Sequence, residues 1–519
     1  MVSIGTPPRA LPFAVVFIAS ACVMTIELVA SRLIAPYVGS NLFTWTSIIA
    51  VVLAGLSLGN LVGGWWAARL GEARAGTGVA IALVVSAGLA LVSVAAVSPV
   101  FAASADAAMS LPVRILTGVT IVFFVPAVVL GAVSPLAASW AIATNAQLGT
   151  TVGALYAVGS LGAIVGTLAT GFVLVSLIGS VMIVVSVSIV LGLTALVVRR
   201  DLKMVAGVTF VVVAALVVGW GAGGTVISPV ADDAGEIIYA TETPYQTVAV
   251  AWDRNRGVRT VVLDNLVHGF ILPDQPRMLL YPYIATYASA YEALRSSLDR
   301  ELASLHLGGG AYTLPRFLVD AFPDDPVIVA EIDPGVTEAN HVAARLERPP
   351  PFELHHADAR AVVRQLARDG RTVDAVFADA FTDYSIPYHL ATVEFYREVD
   401  AVLEEDGWAL LNVIDDLRSP AMLAAIVTTI RAVHPHVVVI SPAPPAELQG
   451  RDTFVVVSSR RPFDAEAIVQ TGRGAGLRST LVPLEDILAA APGGAGTLLT
   501  DAFAPVERLV AHLYRPQRP

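Results

Sequence analysis

The sequence predicts an α-helical multi-span membrane domain followed by a doubly wound α/β domain with a small β region at its start. Three observations carry that prediction. First, the 519 residues are 55% hydrophobic and 14% charged, whereas soluble domains carry about 25% charge. Second, residues 1–224 hold eight Lys/Arg and four acids, while residues 225–519 hold 24 bases against 39 acids, so the two parts stand at +4 and −15. Third, from Leu302 onward strand-like runs alternate with helical ones, the pattern of a sheet wound on both faces. The expected division is a transmembrane domain over 1–224, a β region with a connecting helix over 225–300, and the α/β domain over 301–519.

Runs of about 20 apolar residues, enough to cross a bilayer, fall near 12–34, 44–68, 78–98, 113–140, 150–175, 179–198 and 204–221. Pro7 and Pro8 precede the first, no clean cleavage site follows it, and six more spans come after. It therefore reads as a retained helix rather than a signal peptide. Gly55, Gly59, Gly63 and Gly64 in the second run, and Gly153, Gly159, Gly162, Gly166 and Gly171 in the fifth, let helix backbones approach one another. Glu27 and Arg32 are ionisable residues in or near the first span, and an intramembrane charge is a functional candidate by default. The plainer reading pairs Glu27 with a polar group of the bundle and lets Arg32 reach the interface. With seven spans, Arg9, Arg69, Arg74, Arg199, Arg200 and Lys203 share one side. The positive-inside bias puts that side in the cytoplasm and the acidic domain outside.

After Gly221–Gly224 the pattern changes. Residues 236–251 alternate around Pro244, and Val258–Leu263 follows a turn at Asn255-Arg256-Gly257, which together predict a small antiparallel region. Strands are then expected at Ser304–Leu307, Val327–Ile332, Phe352–His355, Val373–Ala378, Trp408–Val413, Val437–Ile440 and Thr453–Ser458. Helical patterns between them include Ala361–Arg368, Val393–Leu403 and Pro420–Val433. Such a Rossmann-like sheet binds ligands beyond the carboxyl ends of its strands.

Those ends carry the candidate chemistry. The first is followed by Gly308-Gly309-Gly310, where backbone can come close to a ligand. Glu331 ends the second, 23 residues after Gly308, the distance at which an acid accepts ribose hydroxyls. Asp358-Ala359 and Asp379 end the third and fourth. Asp333 and Asp374 read as solvated loop acids. There is no phosphate loop of the GxxxxGK[ST] type and no lysine after Lys203, so an uncharged or cationic adenosyl group fits better than a polyphosphate. The lone Cys22 excludes a disulfide framework. His268, His355, His356 and His389 do not have metal-ligand spacing, and no metal is expected. The acidic balance argues against nucleic acid and suits a cationic partner.

Together these residues resemble the spermidine synthases (polyamine aminopropyltransferases) in their membrane-fused bacterial form. The matching pieces are Glu242-Thr-Pro-Tyr245-Gln246, Val262-Leu-Asp264, Leu307-Gly-Gly-Gly310, Glu331-Ile-Asp333, Asp358-Ala359, and Asp379 followed by Asp383 and Ile386-Pro387. Glu27-Leu-Val-Ala-Ser-Arg32 and Trp45-Thr also look like the fused members' membrane segment. The resemblance implies a class I methyltransferase-like fold and transfer of an aminopropyl group from decarboxylated S-adenosylmethionine, as a cosubstrate and not a tightly bound cofactor, to putrescine or a related amine. Methylthioadenosine is released. Asp379 would accept the proton of the attacking amine. Gln246, Gly308, Gly309, Gly310, Glu331, Asp358, Ala359 and Pro387 would hold the adenosyl cosubstrate, and Tyr245 and Asp383 the polyamine. Family members are often dimers or tetramers, which makes a homo-oligomer an expectation, and the membrane half implies a multi-pass protein of the cell membrane. Cosubstrate supply points to a cytoplasmic domain, against the charge bias.

The sequence also departs from the family. Ala311 and Tyr312 stand where an Asp usually follows the glycines, His268 stands for a Gln and Asn265 for a Gly. Arg277-Met-Leu-Leu-Tyr281-Pro-Tyr283 replaces a Tyr-His-Glu segment. Two other readings therefore remain: a sensor or transporter that binds a polyamine or adenosyl compound without turnover, and an S-adenosylmethionine-dependent methyltransferase.

Overall fold

The computed structural model describes residues 9–104, 109–144, 148–221, 226–448, 450–494 and 496–514. It splits into two compact units, Met1–Pro229 with Glu242–Thr247, and Val230–Thr241 with Val248–Pro519. Most of the expected glycine linker, 222–224, lies outside the described residues.

The first unit is helical: α1 Leu11–Val38, α2 Leu42–Leu70, α3 Glu72–Ala103, α4 Leu111–Thr144, α5 Leu148–Ala169, α6 Ser180–Val198 and α7 Leu202–Gly221. Among the described residues, seven helices are long and apolar enough to cross a membrane, in register with the seven expected runs. Gly39 and Gly71, at φ of 74° and 69°, end α1 and α2, and the Asn41 side chain caps α2 by accepting from the Thr44 amide at 3.1 Å.

The glycines divide by role. A Cβ on Gly59 would sit 2.2 Å from the Val128 carbonyl oxygen of α4, and one on Gly162 would sit 2.2 Å from the Phe17 carbonyl oxygen of α1. Gly64, Gly153 and Gly171 face open space and make no such contact. A π-helical turn over Thr170–Leu174 extends α5, and Thr170 there donates to the Thr25 hydroxyl of α1 at 3.0 Å. Arg32 is not left to reach for an interface. Its Nε donates to Glu242 Oε1 at 2.7 Å, and its Nη1 to the Pro244 carbonyl at 3.1 Å. Glu242 Oε2 also accepts from the Ser180 amide at 2.8 Å. Glu27 keeps one carboxylate oxygen buried without a hydrogen-bond partner among the described residues.

The strands form two sheets. In the first, β1 Glu236–Glu242, β2 Thr247–Asp253, β3 Val258–Leu263 and β4 Leu266–Ile271 follow one another in order. β4 is absent from the expected strands because His268 and Gly269 interrupt its apolar pattern. It pairs with β3 across a two-residue turn in which Asp264 takes a φ of 48°.

The second sheet runs β12-β10-β11-β9-β8-β5-β6-β7. Its strands are β5 Ser304–Leu307, β6 Val327–Ala330, β7 Glu353–His355, β8 Val373–Ala378, β9 Leu403–Asp415, β10 His436–Ser441, β11 Asp452–Ser459 and β12 Thr480–Val482. β7 to β9 through β6, β5 and β8 are parallel, whereas β11 is antiparallel to both β9 and β10. Buried apolar clusters cover both faces, one around Val363, Phe395 and Leu423, the other around Tyr287, Tyr312 and Phe377. The helices used below are α8 Pro282–Leu298, α9 Thr313–Ala321, α10 Pro334–Ala343 and α11 Ala359–Arg368.

Two expectations are corrected here. Asp333 and Asp374 are buried rather than solvated, at 0% and 3% exposure. Asp333 caps α10 by accepting from the Gly335 amide at 2.9 Å, and Asp374 accepts from the Ala303 amide at 2.8 Å and pairs with Arg300. Each satisfies orphan backbone donors, as buried acids must.

Candidate active site

β5, flanked by β6 and β8, places Gly308 at the middle of the sheet's carboxyl edge. Gly308 has a φ of 108°, and a Cβ there would lie 2.4 Å from the Asp379 carbonyl oxygen. Only glycine allows the loop to pass so close to the end of β8. The Asp379 amide donates to the Leu307 carbonyl at 2.9 Å, which fixes Asp379 beside the glycine loop.

Glu331 braces that loop from the next strand. Its Oε2 accepts from the Gly309 amide at 2.8 Å and the Gly310 amide at 3.3 Å, and its Oε1 accepts from the Asp333 amide at 2.8 Å. Burial raises its carboxyl above the usual range, against the pull of these three N–H groups. Oε2 is filled by two amides, whereas Oε1 accepts only one, so its second lone pair stays open to a ligand hydroxyl.

Where the family's pattern has an Asp, Ala311 and Tyr312 are buried at 2% and 0% exposure. The Tyr312 ring stacks on Phe352 with centroids 5.4 Å apart, and its hydroxyl lies 2.6 Å from Thr337 Oγ1. They pack the floor of the loop and offer no carboxylate.

Asp379 is held at both oxygens by neutral donors. The Tyr283 hydroxyl donates to Oδ2 at 2.9 Å, and Asn412 Nδ2 donates to Oδ1 at 3.0 Å. Burial raises the Asp379 carboxyl above the usual range, while Asn412 and Tyr283 oppose the rise. Tyr283 is part of an aromatic row, with Tyr281 at 4.8 Å and Tyr287 at 5.8 Å between ring centroids. The Tyr287 hydroxyl donates to the Ala378 carbonyl at 3.2 Å.

A cavity of about 30 Å³ lies against Gly308, Gly309, Gly310, His268, His306 and Asp379. Burial pushes the imidazoles of His268 and His306 down to about 4 and about 3, so both are neutral at pH 7. The carboxylates beside them meet no imidazolium.

Asp358 and Ala359 stand at the start of α11, past β7. Asp358 Oδ1 accepts from the Ala361 amide at 3.1 Å, and its Oδ2 lies 2.8 Å from His389 Nε2. Pro387 heads the turn Tyr388–Leu390 that delivers this histidine. Asp383 is half-buried in the turn that follows Asp379, with a strained φ of 58°.

The structure thus gathers Gly308, Gly309, Gly310, Glu331 and Asp379 around one loop, and Asp358, Ala359 and Pro387 into a neighbouring group with His389. Tyr245 and Gln246 belong to Glu242–Thr247, in the helical unit. There the Thr243 hydroxyl accepts from both their amides, at 3.1 and 3.0 Å.

Sequence reasoning missed Tyr283, Asn412 and His389 as site residues. An Asn inside the apolar run Trp408–Val413 was the one local signal. Of the other histidines, His355 ends β7 and lies 2.7 Å from Glu353, whereas His356 stands just past the strand, 2.9 Å from Thr337.

No family model matches the chain. It is similar to a polyamine aminopropyltransferase of Vibrio vulnificus, at 23% identity over 197 residues, which is 36% of this chain and 62% of that protein. The chain therefore spans less than two thirds of that relative's length. Among solved structures it is similar to a probable spermidine synthase from Corynebacterium glutamicum. The identity is 22%, the TM-score is 0.43, and 51% of this chain and 96% of that one are covered. It is also similar to a spermidine synthase from Thermotoga maritima, at 18% identity and a TM-score of 0.36, covering 45% of this chain and 75% of that one.

Proposed function

We propose that the chain is a membrane-tethered polyamine aminopropyltransferase. It would transfer the aminopropyl group of decarboxylated S-adenosylmethionine to putrescine or a related amine and release methylthioadenosine. The observation that carries this reading is Asp379, a carboxylate at the strand end beside the glycine loop, held at both oxygens by neutral donors and raised above its usual range. The similarity to a curated polyamine aminopropyltransferase supports it.

The chemistry asks little of the protein beyond orientation and a proton acceptor. The amine's lone pair forms the new C–N bond at the carbon next to the sulfonium. The C–S bond breaks, and its electron pair stays on sulfur as a neutral thioether. The nitrogen then carries one proton too many, and Asp379 takes it. A carboxyl raised by burial is the stronger base, provided that it is ionised at the working pH. Glu331 would receive a ribose hydroxyl on the open lone pair of Oε1, and Asp358, Ala359 and Pro387 would border the adenine. Asp383 would face the diammonium chain, whose positive ends suit a surface of net charge −15.

Removing a general base costs about 10²–10⁴ in rate. Asp379→Asn in the full-length protein should therefore lose transfer by that factor while methylthioadenosine still binds, as read by calorimetry. Loss of transfer and binding together would contradict the assigned role. Methyl transfer from intact S-adenosylmethionine would instead favour the methyltransferase reading, to which Ala311 and Tyr312 lend weight.

A further inference from the structure

A second and larger cavity, of about 290 Å³, opens between the segment that follows β4 and the helix α9. Phe270, Leu272, Met278, Val319 and Leu346 give it apolar walls, and Arg316 of α9 stands among them. The Nε and Nη2 atoms of Arg316 are buried and have no hydrogen-bond partner among the described residues. These two donors lie on one edge of the guanidinium, the edge that grips a carboxylate through two parallel hydrogen bonds. A buried cation without an acceptor is costly, and such a group in a native structure calls for an explanation.

The other charged groups of the wall do not supply the acceptor. Arg345 donates to Asp274 at 2.8 Å, and Asp320 receives Arg277 at 2.5 Å. Glu347 is exposed and acts on Arg316 only through space. Burial lowers the Arg316 guanidinium to about 10, so it remains charged at neutral pH.

We propose that this cavity binds a small carboxylate with a short apolar body. The carboxylate takes the Nε and Nη2 edge of Arg316, and the body lies on the apolar walls. Glu347, on the same cavity wall, is the charge that competes with the ligand for the guanidinium. The site is separate from Asp379, and its occupancy does not depend on the transfer reaction.

The test uses the full-length protein in lipid nanodiscs, with hydrogen exchange read over residues 270–278 and 313–320. The probes are hexanoate, hexanol, hexylamine and inorganic phosphate. Hexanoate should slow exchange in both segments, and hexanol and hexylamine should not. Arg316→Gln should weaken hexanoate by about tenfold or more, the worth of a charged hydrogen-bond pair. Arg316→Lys, which keeps the charge without the fork, should lose most of that affinity at an unchanged melting temperature, which separates a lost fork from misfolding. Glu347→Gln should strengthen binding by about threefold, as expected for a partly exposed charge. Protection by hexanol equal to that by hexanoate would overturn the role of Arg316. Phosphate binding as tightly as hexanoate would overturn the apolar body. No hexanoate binding in either the wild type or Glu347→Gln would show an arginine satisfied by water alone.

Discussion

At the scale of single residues, Asp379 carries the argument, and its two donors make it testable. Its carboxyl lies above the usual range in the folded state. As pH rises through the ordinary carboxylate value, the unfolded chain ionises first, and stability is lost until the folded group ionises as well. Asp379→Asn should therefore raise the melting temperature at pH 7, and the gain should shrink as pH falls toward the ordinary carboxylate value. A lower melting temperature at both ends would mean that the carboxylate is structural. The Tyr283 hydroxyl holds the carboxyl down. Tyr283→Phe should thus move the acid limb of the pH–rate profile upward, and a limb that stays in place would remove Tyr283 from the site. Asp379, Glu331 and the glycines were legible in the sequence because strand ends are where such a sheet keeps its chemistry. Tyr283 and Asn412 were not, since their contacts to Asp379 bridge 96 and 33 residues of chain. Asp333 and Asp374 misled because an acid beside a strand looks solvated until its backbone donors are known.

At the scale of elements, the approach of the glycine loop to β8 is the tightest constraint. Gly308→Ala would place a methyl 2.4 Å from the Asp379 carbonyl oxygen at a φ of 108°. It should cost about 1–3 kcal/mol in backbone strain alone, measurable by denaturant titration, and should lower transfer by shifting Asp379. A variant with wild-type stability and rate would show that the loop has room to spare. The parallel strands were readable because β5, β6 and β8 are buried on both faces and stand as short apolar runs between helices. The reversed course of β11 was not, for strand direction leaves no mark on side-chain pattern. β4 escaped because His268 and Gly269 break its apolar pattern, although Ile271 packs into the core. The long apolar helices showed the reverse, since length and hydropathy alone placed them, yet only the packing separated Gly59 and Gly162 from Gly64 and Gly171.

For the whole molecule, the charge asymmetry divides the sequence near residue 224, and the two compact units divide the chain at Pro229 and Val230 with one later exception. The segment Glu242–Thr247 groups with the helices, tied by Arg32 and Ser180, although its neighbours on both sides are strands of the other unit. A pairing across 210 residues leaves no trace in local composition. The proposed chemistry also requires the acidic unit to face the compartment where its adenosyl donor is made. The measurement that bears most directly on the central claim is a product analysis with the full-length protein in nanodiscs. Decarboxylated S-adenosylmethionine and a panel of diamines would be supplied, with mass spectrometry of the products. The account predicts methylthioadenosine and one amine extended by an aminopropyl group, in equal amounts, with both reduced by about 10²–10⁴ in Asp379→Asn. A folded protein that binds methylthioadenosine yet forms neither product from any amine would contradict it.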